Sequence, residues 1–286
     1  MILAKPMRYR PAVTLASCTR AVILARGLGT RMRRPADGAG LDAAQARVAD
    51  TGVKAMIPIG RPFLDYVLTA VADAGCREAC LVIGPEHDAV RDYYTRQVRP
   101  SRLAVRFAVQ ERPLGTANAV LAAEACAAGE PFLALNSDNF YPASILARLR
   151  ALDGPGLAGF DREALVREGN IDASRVARFA VLDVDGGGLL RGIVEKPDEA
   201  AWAAIGSDAP ISMNCWRFGP SIFTAARAIG LSPRGEYELG DAVQYAIDAL
   251  GERFRVVPVR EGVLDLSVRS DIPSVVRRLE GFEVRL

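Results

Sequence analysis

The chain carries a single histidine, and none of its five cysteines forms a CxxC pair. Zinc chemistry, which draws on sets of imidazole and thiolate ligands, is therefore disfavoured. Cys76 and Cys80 stand at helical spacing but lack a second ligand pair. The odd count reads as reduced thiols of a cytoplasmic protein rather than a disulfide framework. No apolar run approaches the about 20 residues of a membrane-spanning helix, so no membrane partnership is expected. Leu15-Ala16-Ser17-Cys18 has the form of a lipoprotein cleavage box, but Pro11 interrupts its apolar stretch. That stretch is shorter than the roughly 7–15 residues of a secretory core, so residues 1–20 are read as an N-terminal extension. Neither sign of charge is in excess, since 36 Lys and Arg face 34 Asp and Glu. Nucleic acid is thus not an expected partner, and any phosphate binding must come from a local cluster.

Half of the 286 residues are apolar and 24% are charged, which suffices for the core of one large α/β domain or two small ones. Apolar runs of strand length recur at 21–25, 79–84, 103–110 and 131–138, with helical stretches expected at 61–75, 86–97 and 115–128. This alternation predicts an α/β, Rossmann-like, doubly wound and mostly parallel sheet. After about residue 150 the rhythm changes. Residues 178–197 read as a hairpin around Asp185-Gly186-Gly187, followed by a strand at 211–218 and helices near 220–229 and 238–250. The second half is accordingly expected to form an α+β cap on the first. Residues 33–53 are the one long insertion-like piece.

The stretch AVILARGLGTRMRRP, residues 21–35, sets an apolar run against two glycines and four arginines. Gly27 and Gly29 let backbone N–H groups approach phosphate oxygens, while Arg31, with Arg26, Arg33 and Arg34 nearby, supplies charge. The G-x-G-T-R spacing has Met32 where a dinucleotide fingerprint has its third glycine, and it lacks the G-K-[ST] ending of a P-loop. By itself the stretch fits either a triphosphate loop or a glycine turn with solvated arginines.

Six further motifs follow in order: VKAMIPIGRPFLDYVL (53–68), QERPLGTANAV (110–120), LNSDN (135–139), VEKP (194–197), GEYELGDAV (235–243) and LDLSVRSDI (264–272). Together they resemble the sugar-1-phosphate nucleotidyltransferase family, which includes glucose-1-phosphate thymidylyl- and uridylyltransferases and mannose-1-phosphate guanylyltransferases. The resemblance implies a single nucleotide-diphospho-sugar transferase domain over residues 21–286. Residues 21–150 would bind nucleotide and 151–286 the sugar phosphate. It also implies a cytoplasmic enzyme that joins a nucleoside triphosphate to a sugar 1-phosphate, with magnesium as cofactor and homo-oligomerisation left open.

Carried over residue by residue, the resemblance sets Ala25, Gly27, Gly29, Thr30 and Arg31 at the nucleotide, with Arg31 on the departing pyrophosphate. Lys54 matches the lysine at the reacting phosphates, and Asp138 and Asp265 match the two metal-binding aspartates. Ala180, Glu195, Lys196 and Asn214 match the sugar-phosphate positions. Ala180 stands where the family usually has glycine, Arg26 where it has a small residue, and Ser137 where it has glycine. Gln110 and Gly115 match the base-contacting positions. A glutamine offers one acceptor and one donor, which complements the N3–H and O4 of uracil or thymine. UTP or dTTP is favoured, although adenine also suits a glutamine and PLGTA resembles the guanylyl branch.

Two other readings share this fold, a catalytically weak ligand-binding regulatory homologue and a transferase acting on a non-sugar phosphate or phosphonate. The glycine loop is expected to be mobile, with residues 33–53 closing over it once an anion screens the arginines.

Overall fold

The computed structural model describes residues 18–36, 40–206 and 208–286. Eleven strands organise these residues: β1 (Arg20–Leu24), β2 (Glu78–Ile83), β3 (Ala104–Val109), β4 (Phe132–Asn136), β5 (Asn139–Phe140), β6 (Gly156–Phe160), β7 (Val181–Val184), β8 (Leu190–Val194), β9 (Ile211–Phe218), β10 (Arg255–Val259) and β11 (Leu264–Asp265). The main sheet runs β10-β6-β9-β4-β1-β2-β3, with the β7–β8 hairpin joined to β9, and β11 pairs β5 separately. β1 lies parallel to both β2 and β4, and β2 is parallel to β3, as the alternation of strand and helix requires.

Alternation along each strand divides the core into two layers. Ala21 and Ile23 of β1, with Leu133 and Leu135 of β4, face one side, where the helix Phe63–Asp73 packs. Val22, Phe132 and Ala134 face the other, beneath the helices Thr116–Ala122, Ser221–Ala228 and Leu239–Asp248. Both faces being covered, the inner strands read as continuous apolar runs.

Three expectations are corrected. The second half is not a cap: β9 pairs antiparallel with both β4 and β6, so residues beyond 150 extend the same sheet. The stretch expected as one helix at 86–97 is α-helical only over Asp88–Asp92 and widens into a π turn over Tyr93–Gln97. There two consecutive tyrosines reach one buried carboxylate: Tyr93 Oη donates to Asp65 Oδ2 at 2.9 Å and Tyr94 Oη to Asp65 Oδ1 at 2.8 Å. A regular turn would point neighbouring side chains about 100° apart, and the wider turn brings both to the same group. Finally, the fold begins before residue 21, because Cys18 is buried and its carbonyl accepts from Arg150 Nε at 2.7 Å. The rest of the expected extension, with Leu15 to Ser17 of the cleavage-box motif, lies outside the described residues.

Candidate active site

The site grows from the C-terminal edge of the sheet, where β1 and β4 end side by side. Beyond β1, Ala25 is buried and donates its N–H to the Val82 carbonyl at 2.8 Å, which holds the loop's first residue in the sheet. Gly29 then turns with φ 61° into the short helix Thr30–Arg33. A Cβ on Gly29 would collide with the backbone of Gly52, whereas one on Gly27 would meet nothing within 4 Å. The two glycines thus serve different ends: packing demands Gly29, and the space beside Gly27 is open to a ligand. Gly29→Ala is expected to destabilise the protein by about 1–3 kcal/mol. Gly27→Ala is expected to leave stability within about 0.5 kcal/mol while weakening nucleotide binding. Denaturant unfolding and nucleotide titration of the two variants separate these effects.

Gly52 belongs to the insertion. Residues 43–51 form a helix whose N-cap Asp42 accepts from Ala44 N and Gln45 N while Gln45 caps back, a reciprocal box worth about 1 kcal/mol. Arg33 donates from Nε and Nη2 to the Thr51 carbonyl at 3.0 and 2.7 Å. Arg269, 9% exposed, donates to the carbonyls of Met32 and Arg33 at 2.9 and 3.3 Å and pairs with Asp50. The helix is therefore docked on the glycine loop. Of the four arginines of the loop, Arg33 is partnered by the Thr51 carbonyl and Arg26 by Glu86 and the Glu111 carbonyl. Residues 37–39 of the insertion lie outside the described residues.

A cavity of about 380 Å³ opens along this edge. Gly27, Gly29, Thr30, Arg31, Lys54, Gln110, Gly115 and Asp138, all expected at the nucleotide, line it together, with Leu24, Arg26, Leu28, Pro113, Thr116, Ala119, Asn136 and Glu236. Lys54 opens the 3₁₀ turn Lys54–Met56 just after Gly52 and pairs its Nζ with Asp138 Oδ2.

Asp138 and Asp265 are brought near each other by the β5–β11 pair, which sets Asp265 opposite Asn139. Leu266 N–H also bonds the Asp138 carbonyl at 2.8 Å. Their settings differ. Asp138 keeps 22% of its side chain exposed and has one carboxylate oxygen without a donor among the described residues. Asp265 is 5% exposed and is not among the residues that line the cavity; its Oδ1 accepts from Asn139 Nδ2 and Ser267 Oγ, both at 3.0 Å, and its Oδ2 pairs with Arg175. Burial and the neighbouring Asp138 carboxylate hold the Asp265 carboxyl above the usual range, despite the opposing pull of Arg175. Oxygen-only donors suit magnesium. Asp138 keeps an oxygen for such an ion, whereas both oxygens of Asp265 are engaged by Asn139, Ser267 and Arg175.

At the other end, Gln110 is buried with Nε2 committed to the Gly115 carbonyl at 3.0 Å and to Asn118 Oδ1 at 2.9 Å. The carbonyl can only accept, so the amide's orientation is settled and Oε1 is left as an acceptor. Gly115 has φ 103°, and a Cβ there would lie 2.5 Å from the Tyr237 carbonyl. Arg26 spans this end, with Nη2 within 3.4 Å of Glu86 Oε2 and 3.3 Å of the Glu111 carbonyl.

The sugar-side residues lie apart from that cavity. Glu195 and Lys196 line a second one, of about 400 Å³, with Arg234, Glu238, Asp241 and Gln244. One step beyond the Val181–Val194 pair, Ala180 and Glu195 leave the hairpin together, and the Ala180 carbonyl accepts from Ser212 N–H at 2.8 Å. Asn214 lies on β9 two residues before Trp216, the last residue of β9 to pair with β4, where the register of β9 on β6 shifts. Lys196 and Asn214 both have left-handed backbones, with φ 47° and 55°. Such strain in non-glycine residues concentrates at functional positions.

Sequence reasoning passed over Arg175, Arg269, Asn136 and Glu236. Asn136 is legible in hindsight as the residue that closes an apolar strand; the two arginines carry no local signal.

A mostly parallel sheet with a glycine loop after β1 and Asp138 just beyond the neighbouring strand β4 is the layout of a nucleotide-binding α/β fold. The chain belongs to the nucleotidyl transferase family, whose model matches residues 45–261. It is 29% identical over 241 residues to the glucose-1-phosphate thymidylyltransferase of Streptomyces antibioticus, covering 80% of this chain but 57% of that protein. It is 24% identical to the UTP–glucose-1-phosphate uridylyltransferase of Haloferax volcanii, covering 91% and 96% of the two chains. The fold resembles that of a UDP-glucose pyrophosphorylase solved with UDP-glucose, with a TM-score of 0.70 at 18% identity, over 93% of this chain and 100% of that one. No helix among the described residues is long and apolar enough to cross a membrane.

Proposed function

We propose that the protein transfers a nucleotidyl group from UTP or dTTP to a sugar 1-phosphate, giving a nucleotide sugar and pyrophosphate. The observation that carries this reading is the convergence of Gly27, Arg31, Lys54, Gln110 and Asp138 on one cavity at the C-terminal edge of a parallel sheet. The names of the thymidylyl and uridylyl relatives support the nucleotide and sugar-phosphate classes.

In the proposed reaction an oxygen of the sugar phosphate bonds to the α-phosphorus, the bond from that phosphorus to the β-bridging oxygen breaks, and pyrophosphate leaves with the electron pair. Positioning and charge stabilisation carry the barrier reduction. Arg31 meets the departing pyrophosphate and Lys54 the α-phosphate oxygens. Asp138, with Asp265 near it, would hold magnesium, which when bound neutralises phosphate oxygens. Glu195 and Lys196, with the backbone N–H of Ala180 and the amide of Asn214, bind the sugar phosphate from the second-half side of the sheet.

A pyrophosphate-release screen of dTTP and the four ribonucleoside triphosphates against several sugar 1-phosphates, with and without magnesium, tests the reading. Release is expected with UTP or dTTP in the presence of magnesium, and release with no pair would sink it. Asp138→Asn is expected to lower that rate by about 100-fold or more and to abolish its magnesium dependence.

A further inference from the structure

Resting on the reading that the main cavity holds a nucleoside triphosphate, we propose that Arg26 is a base-reading residue, which selects uracil or thymine by donating to a ring carbonyl. Arg26 is 9% exposed and lines the cavity. Its Nη2 is used by Glu86 and the Glu111 carbonyl, but Nε and Nη1 are buried without any acceptor among the described residues. Leaving charged N–H groups unpaired in a buried site is costly. A ligand acceptor in the cavity removes that cost.

The position of Arg26 says which acceptor. The Glu111 carbonyl it holds is one residue from Gln110, so its guanidinium sits at the end of the cavity where the glutamine amide is anchored. Three groups at this end have no partner among the described residues: Nε and Nη1 of Arg26, which are closed off from solvent and meet a base once the guanidinium turns toward the cavity, the Gly115 N–H, and the Gln110 Oε1 acceptor. Uracil and thymine present one N–H between two carbonyls, so each of their groups finds a partner of the opposite kind. An exocyclic amino group, as in adenine or cytosine, brings two N–H donors to the single Gln110 oxygen. Guanine brings N1–H as well as its amino group, and its donors outnumber that acceptor further. A small residue at position 26 could neither impose this requirement nor fill the space.

The experiment measures kcat and KM for UTP, dTTP, CTP, ATP and GTP, and for 2-thio-UTP and 4-thio-UTP, in the wild type, Arg26→Ala and Arg26→Lys. A thiocarbonyl is the weaker acceptor. The wild type is expected to prefer UTP or dTTP and to lose about tenfold in kcat/KM with one of the thio analogues, the size of a charge-assisted hydrogen bond. Arg26→Ala is expected to raise KM for the preferred nucleotide about tenfold, to change kcat less, and to treat the thio analogue and UTP alike. Arg26→Lys, which keeps the charge and fills the cavity, serves if the alanine variant does not fold. An unchanged nucleotide ranking, or an equal loss on every nucleotide, overturns the inference. UTP binding measured by calorimetry reads Arg26 independently of turnover: a wild type that binds UTP more tightly than Arg26→Ala but releases no pyrophosphate overturns the transferase reading and leaves this one standing.

Discussion

Replacing Lys54 by alanine is expected to lower turnover by about 10²- to 10³-fold, the loss found when one preorganised charge donor is removed from a reacting centre. Lys54 is the cation whose ammonium reaches across the main cavity to Asp138, and its side chain is only 14% exposed. A charge so screened from water acts on a phosphate oxygen more strongly than a solvated one. Its removal also leaves Asp138 without its partner, but that carboxylate keeps 22% of its side chain in contact with solvent. The stability cost is therefore modest, about 1 kcal/mol, and the unfolding midpoint moves by a few degrees at most. Single-turnover pyrophosphate release beside a thermal melt separates the two effects. Lys54→Arg keeps the charge but replaces a point cation by a planar fork, and is expected to recover part of the rate. An alanine variant within threefold of wild-type turnover, with an unchanged melt, would place Lys54 outside the reaction.

The parts of the site that were legible in the sequence are those whose physics is local. A strand that runs into glycines and arginines marks a candidate ligand loop because every element of the signal lies within fifteen residues, and the structure puts Gly27, Gly29 and Arg31 on the cavity. Asp138 was readable for the same reason, as an acidic residue just beyond a buried strand. Strand neighbours were not readable. Apolar periodicity shows that β9 is a strand, but nothing in its residues says that it pairs antiparallel between β4 and β6, and a second half taken as a cap proved to be half of the sheet. The charged framework was the least legible part, because its partners are distant. Arg269 meets Asp50 across 219 positions and Arg175 meets Asp265 across 90. An ion pair between distant positions leaves no periodic trace, and each arginine taken alone looks like a solvated one. The helix Ala43–Thr51 belongs to the same class: short and polar, it is held by capping and by Arg33 and Arg269 rather than by a broad apolar face.

Arg175→Ala is expected to be the most destabilising of the substitutions considered, by about 3–5 kcal/mol. Arg175 keeps 17% of its side chain exposed and reaches two carboxylates that are nearly closed off, Asp265 at 7% and Asp271 at 6%. Its Nη1 lies 2.6 Å from Asp271 Oδ1. Asp271 in turn accepts the N–H groups of Ser267 and Val268 at 2.8 Å, which folds the chain after β11 back on itself. Without the guanidinium, two like charges remain in a site with little water, and the Asp265 carboxyl, already held high by burial and by Asp138, loses the cation that opposes this shift. A fall of about 10 °C in the melting midpoint follows from the size of the chain. If the lost cation is the cause, neutralising a carboxylate as well must help: Arg175→Met with Asp271→Asn is expected to regain more than half of the loss, since removing both members of a buried pair costs less than removing one. Magnesium is expected to raise the midpoint of Arg175→Ala more than that of the wild type, because the vacated site leaves Asp265 free to share a cation with Asp138. Equal shifts in the two proteins would mean that Asp265 serves the clamp alone and that metal binding rests on Asp138.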